Sequence, residues 1–332
     1  MSTYAGLNPL QGFRDPRHVH ALARAVQEQA QLFRTKHQHA PRIMEVCGGH
    51  THAIYRYGLQ QLVGDSVEFL HGPGCPVCVL PRARIDTAIA LAQQADVILA
   101  TFGDVMRVPG TQQNFFQANA AGADILVVYS ALDALRLAQR HPDKRIIFFA
   151  IGFETTMPGT ALTLRQAQRD NVTNFFVLCH HILIMPALHA LLQDKDCMID
   201  GFIGPGHVGA IIGSRVYEPV CRDYGRPLVI AGFRTGGLSL ILLMVLQQLN
   251  AGRAAIDIQY NRVVQPDGNP RAQAVLQDVF FIAPGQQWRG LGWLDHSGVT
   301  LQPAYARFDA EPQADAKRIR PTTTVRCSVI RS

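Results

Sequence analysis

Long apolar runs are missing from this sequence. Of its 332 residues, 48% are apolar and 17% charged, yet no stretch reaches the roughly 18 uninterrupted apolar positions of a membrane-spanning helix. The amino terminus has no basic segment leading into an apolar signal core, so the expected compartment is the cytoplasm, with no membrane association. A basic stripe is missing too. The net charge of +6 comes from 31 Lys and Arg against 25 Asp and Glu, and these are interspersed except near the carboxyl end, where Lys317, Arg318, Arg320 and Arg326 gather beyond Asp315. With no nucleic-acid reading element beside it, that cluster reads as a solvated tail, and no nucleic-acid partner is expected. Tryptophan is scarce, and Trp288 and Trp293 read as packing or interface anchors.

Cysteine is present seven times, and three copies sit in two glycine-flanked loops. Cys47 lies in Glu45-Val-Cys-Gly-Gly-His-Thr-His52, and Cys75 and Cys78 lie in His71-Gly-Pro-Gly-Cys-Pro-Val-Cys78. In a reducing compartment, paired cysteines bind metal or do redox work more often than they staple a fold. Two cysteines three positions apart close a disulfide or share a metal; a pair of buried small hydrophobes is the plainer alternative. A helix is expected to start at the pair, with Ile85, Ala88, Ile89 and Ala92 on one face, its amino end favouring thiolate over thiol. Cys47 adds a third soft ligand, with His50 and His52 nearby as nitrogen donors or acids. Its alternative is a core thiol whose neighbouring histidines cap a helix over Thr51 to Val63, with Ile54, Gly58 and Leu62 inward. Cys179, Cys197 and Cys221 have no companion at ligand spacing and read as core or incidental thiols.

Apolar runs at Arg42 to Val46 and Val67 to Leu70 read as buried strands feeding the two sulfur loops, which would then leave the same edge of a sheet, where open α/β folds place ligands. A helix over Pro16 to Phe33 precedes them. Further strands are expected at Ala95 to Ala100, Ala123 to Tyr129, Arg145 to Ile151, Asn174 to Cys179, Gly201 to Ile203 and Pro227 to Ala231, with an apolar helix at Leu238 to Leu249. The fold class is therefore α/β: two similar parallel-sheet units plus a smaller carboxyl-terminal region. The expected domains are a first unit with the cysteine loops over 1–125, a second unit over 126–232 and a third region over 233–332.

The second unit's most polar loop is Gly152-Phe-Glu-Thr-Thr-Met-Pro-Gly-Thr160. It is neither a Walker motif nor a dinucleotide fingerprint. Glu154, Thr155 and Thr156 either bind a ligand, place a carboxylate near the sulfur site, or cap the following helix. His180 and His181 follow a strand, and His207 lies in Gly204-Pro-Gly-His-Val-Gly209, whose surrounding glycines read as a loop that places this histidine as a candidate for chemistry.

Taken in order, Cys47-Gly-Gly-His-Thr-His52, Gly72-Pro-Gly-Cys-Pro-Val-Cys78, Gly152-Phe-Glu-Thr-Thr156, Gly204-Pro-Gly-His207 and Tyr260-Asn-Arg-Val-Val264 resemble the HypD family of hydrogenase maturation factors, up to about Asp309. The resemblance implies a scaffold for the iron centre of nickel-iron hydrogenase, with two cyanides and one carbon monoxide on the iron. It implies that Cys47 holds the iron jointly with HypC, that HypE supplies cyanide, and that the hydrogenase large subunit is the indirect recipient. Cys75 and Cys78 would be the redox-active pair, His50 would tune Cys47 or shuttle a proton, and Glu154 would face the same cleft.

This sequence departs from the family pattern twice. After Gly232-Phe233 the family continues with Glu-Pro and an acid, where Arg234-Thr-Gly-Gly237 stands here. Beyond Phe308-Asp309-Ala310-Glu311 the family carries a cysteine-rich segment for a [4Fe-4S] cluster, where this sequence has one cysteine, Cys327; a truncated or frame-shifted end would give that pattern. Two competing functions remain: a stand-alone thiol-disulfide oxidoreductase using Cys75 and Cys78, and a noncatalytic interaction protein.

Overall fold

The computed structural model describes residues 16–232, 235–313 and 330–331. Arg234, Cys327 and the basic cluster from Lys317 to Arg326 lie outside the described residues.

In chain order the strands are β1 (Arg42–Glu45), β2 (Glu68–His71), β3 (Val97–Thr101), β4 (Ile125–Val127), β5 (Arg145–Gly152), β6 (Phe175–His181), β7 (Gly201–Pro205), β8 (Leu228–Ala231), β9 (Ile256–Ile258), β10 (Phe280–Ile282), β11 (Gly285–Trp288), β12 (Gly292–Asp295), β13 (Val299–Leu301) and β14 (Ile330–Arg331). The helices are α1 (Pro16–His37), α2 (Gly48–Arg56), α3 (Leu59–Val63), α4 (Arg82–Ala92), α5 (Phe115–Ala120), α6 (Ala131–Arg140), α7 (Met157–Arg169), α8 (Ile184–Gln193), α9 (Gly206–Ile212), α10 (Glu218–Arg222), α11 (Thr235–Asn250) and α12 (Pro270–Val279). The described residues fold into two compact units, one from 16–75, 191–232, 235–269 and 330–331, the other from 76–190 and 270–313.

The first unit is built on a sheet in the order β14-β2-β1-β7-β8-β9. Strands β2, β1, β7, β8 and β9 run parallel, and β14 adds antiparallel to β2. In this register Glu45 pairs with His71 and with Ile203. One face of the sheet offers Ile43, Phe69, Ile203 and Val229 to Leu22, Val26 and Ala30 of α1, Ile54 of α2, and Leu238, Ile241, Leu242 and Val245 of α11. Each such fully buried aliphatic side chain contributes about 1.5–3 kcal/mol, so the helical faces at 3.6-residue spacing hold the sheet edge in place.

The second unit has a parallel sheet in the order β4-β3-β5-β6. Its strands are apolar on both faces, as a covered parallel sheet requires. Ile98, Ala100, Ile146, Phe148 and Val177 face Leu135 of α6 and Leu164 of α7, and Val97, Leu99, Ile147, Phe149 and Leu178 face Ile85, Ala88 and Ile89 of α4. Two short antiparallel pairs, β10 with β13 and β11 with β12, supply the smaller carboxyl-terminal part.

The α/β class with two parallel units holds, but the strands of residues 126–232 divide: β5 and β6 join one sheet while β7 and β8 return to β1. Parallel neighbours are linked by long crossovers, so chain order alone does not say which sheet a strand enters. The expected helix from Thr51 to Val63 is interrupted, because Gly58 takes a left-handed conformation at φ 60° between α2 and α3. That break turns Leu59 and Val63 inward while Leu62 stays half-buried. The cysteine pair does not open a helix either. Helix α4 begins at Arg82, with Pro81 as its N-cap; proline holds the preceding residue extended, which leaves Cys75 and Cys78 in the turn before it.

Candidate functional site

Parallel strands end on a common edge, and in the first unit that edge gathers Glu45, His71, Pro205 and Ala231 at the ends of β1, β2, β7 and β8. The segments that follow carry Cys47, Cys75 and Gly232 in loops and His207 in the first turn of α9. Cys47 is the N-cap residue of α2, extended at φ −154° and ψ 120°. Its free thiol is half-buried. Burial pushes the thiol pKa up, the backbone N–H groups of Gly49 and His50 push it down, and the Glu45 carboxylate pushes it up again; the net direction is upward. Those N–H groups face the sulfur without closing a capping hydrogen bond of ordinary geometry.

The two sulfur loops pack backbone to backbone. Gly48 N–H donates to Gly74 O at 3.1 Å, and Gly72 N–H donates to Glu45 O at 2.8 Å. A Cβ on Gly48 would lie 3.2 Å from Cys75 Cβ, which puts Cys75 directly beside the Cys47 loop. Cys75 and Cys78 are both disulfide-bonded.

His50, completely buried, donates from Nε2 to Gly232 O at 3.2 Å. Burial drives its pKa down to about 4, against the pull of the Glu45 charge and the backbone carbonyls. It is therefore neutral at physiological pH. His52, two residues on, is exposed. His207 stands in α9 rather than in a loop, and is also exposed.

Glu45 is the residue to which sequence reasoning assigned no role. It is 1% exposed. Its Oε2 accepts the Cys47 N–H at 2.9 Å, and its Oε1 accepts the Thr51 hydroxyl and, at 2.8 Å, His71 Nδ1–H. On the far side of the imidazole, His71 Nε2 meets the Tyr55 hydroxyl at 3.2 Å, and Tyr55 is 51% exposed. Both acid and imidazole bracket the sulfur motifs, immediately before Val46-Cys47 and Gly72-Pro73. Polar residues ending two adjacent apolar strands were the available signal.

In the second unit, Glu154 follows β5 and is 4% exposed. Its Oε1 accepts the N–H of Ile184 at the start of α8, so it caps a helix remote in sequence rather than the one that follows it. Its Oε2 has no hydrogen-bond partner among the described residues. Burial raises its pKa to about 7, opposed by its backbone hydrogen bonds. His181, also buried, bonds Thr160 Oγ1 at 3.0 Å, and burial lowers its pKa to about 4. Cys179 and Cys221 are buried thiols, pushed up to about 12 and about 11 by desolvation. Trp288 is buried and donates to Ser297 Oγ at 2.9 Å, as a packing anchor should.

Among the described residues no group of three or more His, Cys, Asp or Glu side chains is arranged to hold a metal. No described helix is long and apolar enough to cross a membrane.

The fold and this edge define a class: a parallel α/β protein presenting one free thiol at a helix amino end, beside a second sulfur loop. A family model described as "HypD: Hydrogenase formation hypA family" matches residues 18–331. Hydrogenase maturation factor HypD of Rhodobacter capsulatus is 50% identical over 299 residues, covering 90% of this chain and 79% of its own length. Hydrogenase maturation factor HypD of Escherichia coli (strain K12) is 49% identical, with 90% and 80% covered. For hydrogenase maturation factor HypD2 of Bradyrhizobium diazoefficiens the identity is 44%, with 95% and 83% covered. The chain belongs to the HypD family of hydrogenase maturation factors.

Proposed function

We propose that this protein is the cytoplasmic scaffold on which the Fe(CN)2CO moiety of nickel-iron hydrogenase is assembled, working with HypC-type and HypE-type partners before transfer to the hydrogenase large subunit. The observation that carries this reading is the free, half-buried Cys47 thiol at the amino end of α2, packed against the Cys75 loop. A thiolate is the soft donor that low-valent iron prefers, and the positive end of a helix offsets its charge. In this reading the iron is cargo, held by Cys47 together with a partner's thiolate.

Cys75 and Cys78 are the electron-exchanging pair. Opening their disulfide takes up two electrons and two protons, and reclosing it returns them. His50 supports Cys47 as a neutral imidazole, its Nε2–H committed to Gly232 O. Glu154, with its pKa near 7, is the candidate acid of the second unit.

A resident [4Fe-4S] cluster does not fit the described residues. Such a cluster takes four thiolates, and the described side chains form no ligand cluster.

The test is iron content with infrared spectra on anaerobically purified protein, with and without HypC, for the native chain and for Cys47→Ala. Iron carrying cyanide and carbon monoxide bands in the native complex, lost in Cys47→Ala, is the expected result. Normal iron occupancy in that variant would sink the proposed anchor. The bonded state of Cys75 and Cys78 also suits a stand-alone thiol-disulfide oxidoreductase, which would instead turn over a generic disulfide without HypC and take up no iron.

A further inference from the structure

We infer that Glu45 and His71 are positioning residues for the Cys47 thiol, fixing the sulfur at the amino end of α2 where it can meet a soft divalent cation. This rests on Cys47 being the anchor, and goes beyond it by saying what aims the anchor. Burying a carboxylate costs several kcal/mol unless donors surround it. Nothing in the packing of the first sheet asks for one, since Met44 and Val46 on either side are each 1% exposed and apolar.

The carboxylate is retained among three donors, one from the link between β1 and α2, one from α2 and one from β2. The Cys47 N–H, 2.9 Å from Oε2, ties down the residue that carries the sulfur. The Thr51 hydroxyl binds Oε1 from the first full turn of α2. His71 Nδ1–H, 2.8 Å from Oε1, comes from the end of the neighbouring strand, in register with Glu45 itself. An ionised carboxylate has no proton to give, so every contact donates to it, and His71 must carry its proton on Nδ1. With the Nδ1 proton committed, Nε2 is left to the Tyr55 hydroxyl, one turn beyond Thr51 on α2.

The result is a closed frame. Strand β1 holds Glu45, strand β2 holds His71, and α2 holds Thr51 and Tyr55, with Cys47 as the link between strand and helix. Groups that hydrogen-bond and orient a metal ligand typically change metal affinity by about 10–100-fold when removed, without touching the metal. The side chains of His71 and Glu45 are 13% and 1% exposed, so solvent cannot replace either partner cheaply.

The experiment reads Cys47 in two ways. In metal-free full-length protein at fixed pH, iodoacetamide alkylation is mapped by peptide mass, with Cys179 and Cys221 as internal references. In parallel, Co(II) alone is titrated and its thiolate charge-transfer absorption followed. His71→Ala and Thr51→Val should alkylate Cys47 severalfold faster while Cys179 and Cys221 stay protected. Their cobalt affinity should drop by about tenfold or more. His71→Asn, which keeps an N–H near the Nδ1 position, and Thr51→Ser, which keeps the hydroxyl, should return both readouts toward native.

Native alkylation rates in His71→Ala and Thr51→Val would overturn the inference, as would Asn and Ser variants no better than Ala and Val. Faster alkylation of Cys179 and Cys221 as well would also overturn it, because general loosening would then explain the effect. Thr51→Val keeps the test decisive if His71→Ala does not fold. A cobalt band that survives Cys47→Ala refutes the anchor and not the positioning, which the metal-free alkylation reads by itself.

Discussion

Replacing Gly74 with alanine asks how tightly the two sulfur loops are joined. A Cβ built on Gly74 would lie 2.1 Å from Cys47 N and Val46 C, and 2.5 Å from Cys47 Cα. All three are backbone atoms leaving the inner strand β1, so none can rotate aside. Carbon atoms settle at about 3.5–4.0 Å, and the loops must therefore part by more than about 1 Å. Parting them breaks the Gly48 N–H to Gly74 O bond of 3.1 Å and lifts Cys75 from its place beside Gly48. Overpacking of this kind costs about 1–3 kcal/mol and the lost hydrogen bond about 1 kcal/mol, so the variant should lose roughly 2–4 kcal/mol out of a typical 5–15. Urea unfolding measures it, with Gly159→Ala as the control. A Cβ at Gly159, inside α7, meets nothing within 4 Å, and that change should be neutral or stabilising by up to about 1 kcal/mol. Native stability in Gly74→Ala, with Cys47 alkylating at the native rate, would refute the loop-to-loop contact.

Two pH predictions follow from buried groups of opposite type. His181 has its pKa lowered from 6.5 to about 4, so the unfolded chain binds the proton more tightly; its contribution is complete above pH 6.5 and is lost as pH falls through about 4. At 1.36 kcal/mol per pKa unit this amounts to about 3 kcal/mol, and urea midpoints between pH 4 and 7 should rise less steeply in His181→Gln than in the native protein. Identical slopes would contradict it. Glu154 has its pKa raised from 4.5 to about 7, so the folded state holds the proton more tightly; that contribution is present below pH 4.5 and lost as pH rises through about 7. Glu154→Gln keeps an acceptor for the Ile184 N–H, and should match the native protein near pH 4.5 while exceeding it above pH 7 by up to about 3 kcal/mol. A difference that does not vary with pH would rule out the raised pKa.

Short apolar runs ending in glycine loops made the strands legible, because a parallel sheet buried on both faces needs near-continuous hydrophobicity. Arg42–Glu45 and Glu68–His71 appear at nearly the expected positions, paired and parallel, which is why both sulfur loops share an edge. The amphipathic stripe of Ile85, Ala88, Ile89 and Ala92 is buried as its spacing required. Helix limits were less legible. The left-handed turn at Gly58 and the late start of α4 after Pro81 depend on single backbone conformations that periodicity averages away. Sheet membership was not legible either, since β7 and β8 rejoin β1 after more than a hundred residues. Glu45 escaped notice because a lone acid beside a strand ordinarily reads as a solvated end; only the register with His71 shows that it faces a partner.

The electrostatics at Cys47 bear on the role of that sulfur alone, since the oxidoreductase alternative places its chemistry on Cys75 and Cys78. A cysteine that attacks disulfides works best with a pKa near ambient pH and a ready thiolate. At Cys47 desolvation dominates, Glu45 adds to it, and the Gly49 and His50 N–H groups offset only part, so the resting sulfur is held as the thiol. For an oxidoreductase nucleophile that arrangement is a handicap. For a metal anchor it is useful, because an incoming cation displaces the proton and then gains from the carboxylate charge that disfavoured the bare thiolate. Under the proposed function, the Glu45 charge that disfavours the bare Cys47 thiolate would favour the metal-bound one, which suits Cys47 as an anchor better than as a disulfide-attacking nucleophile.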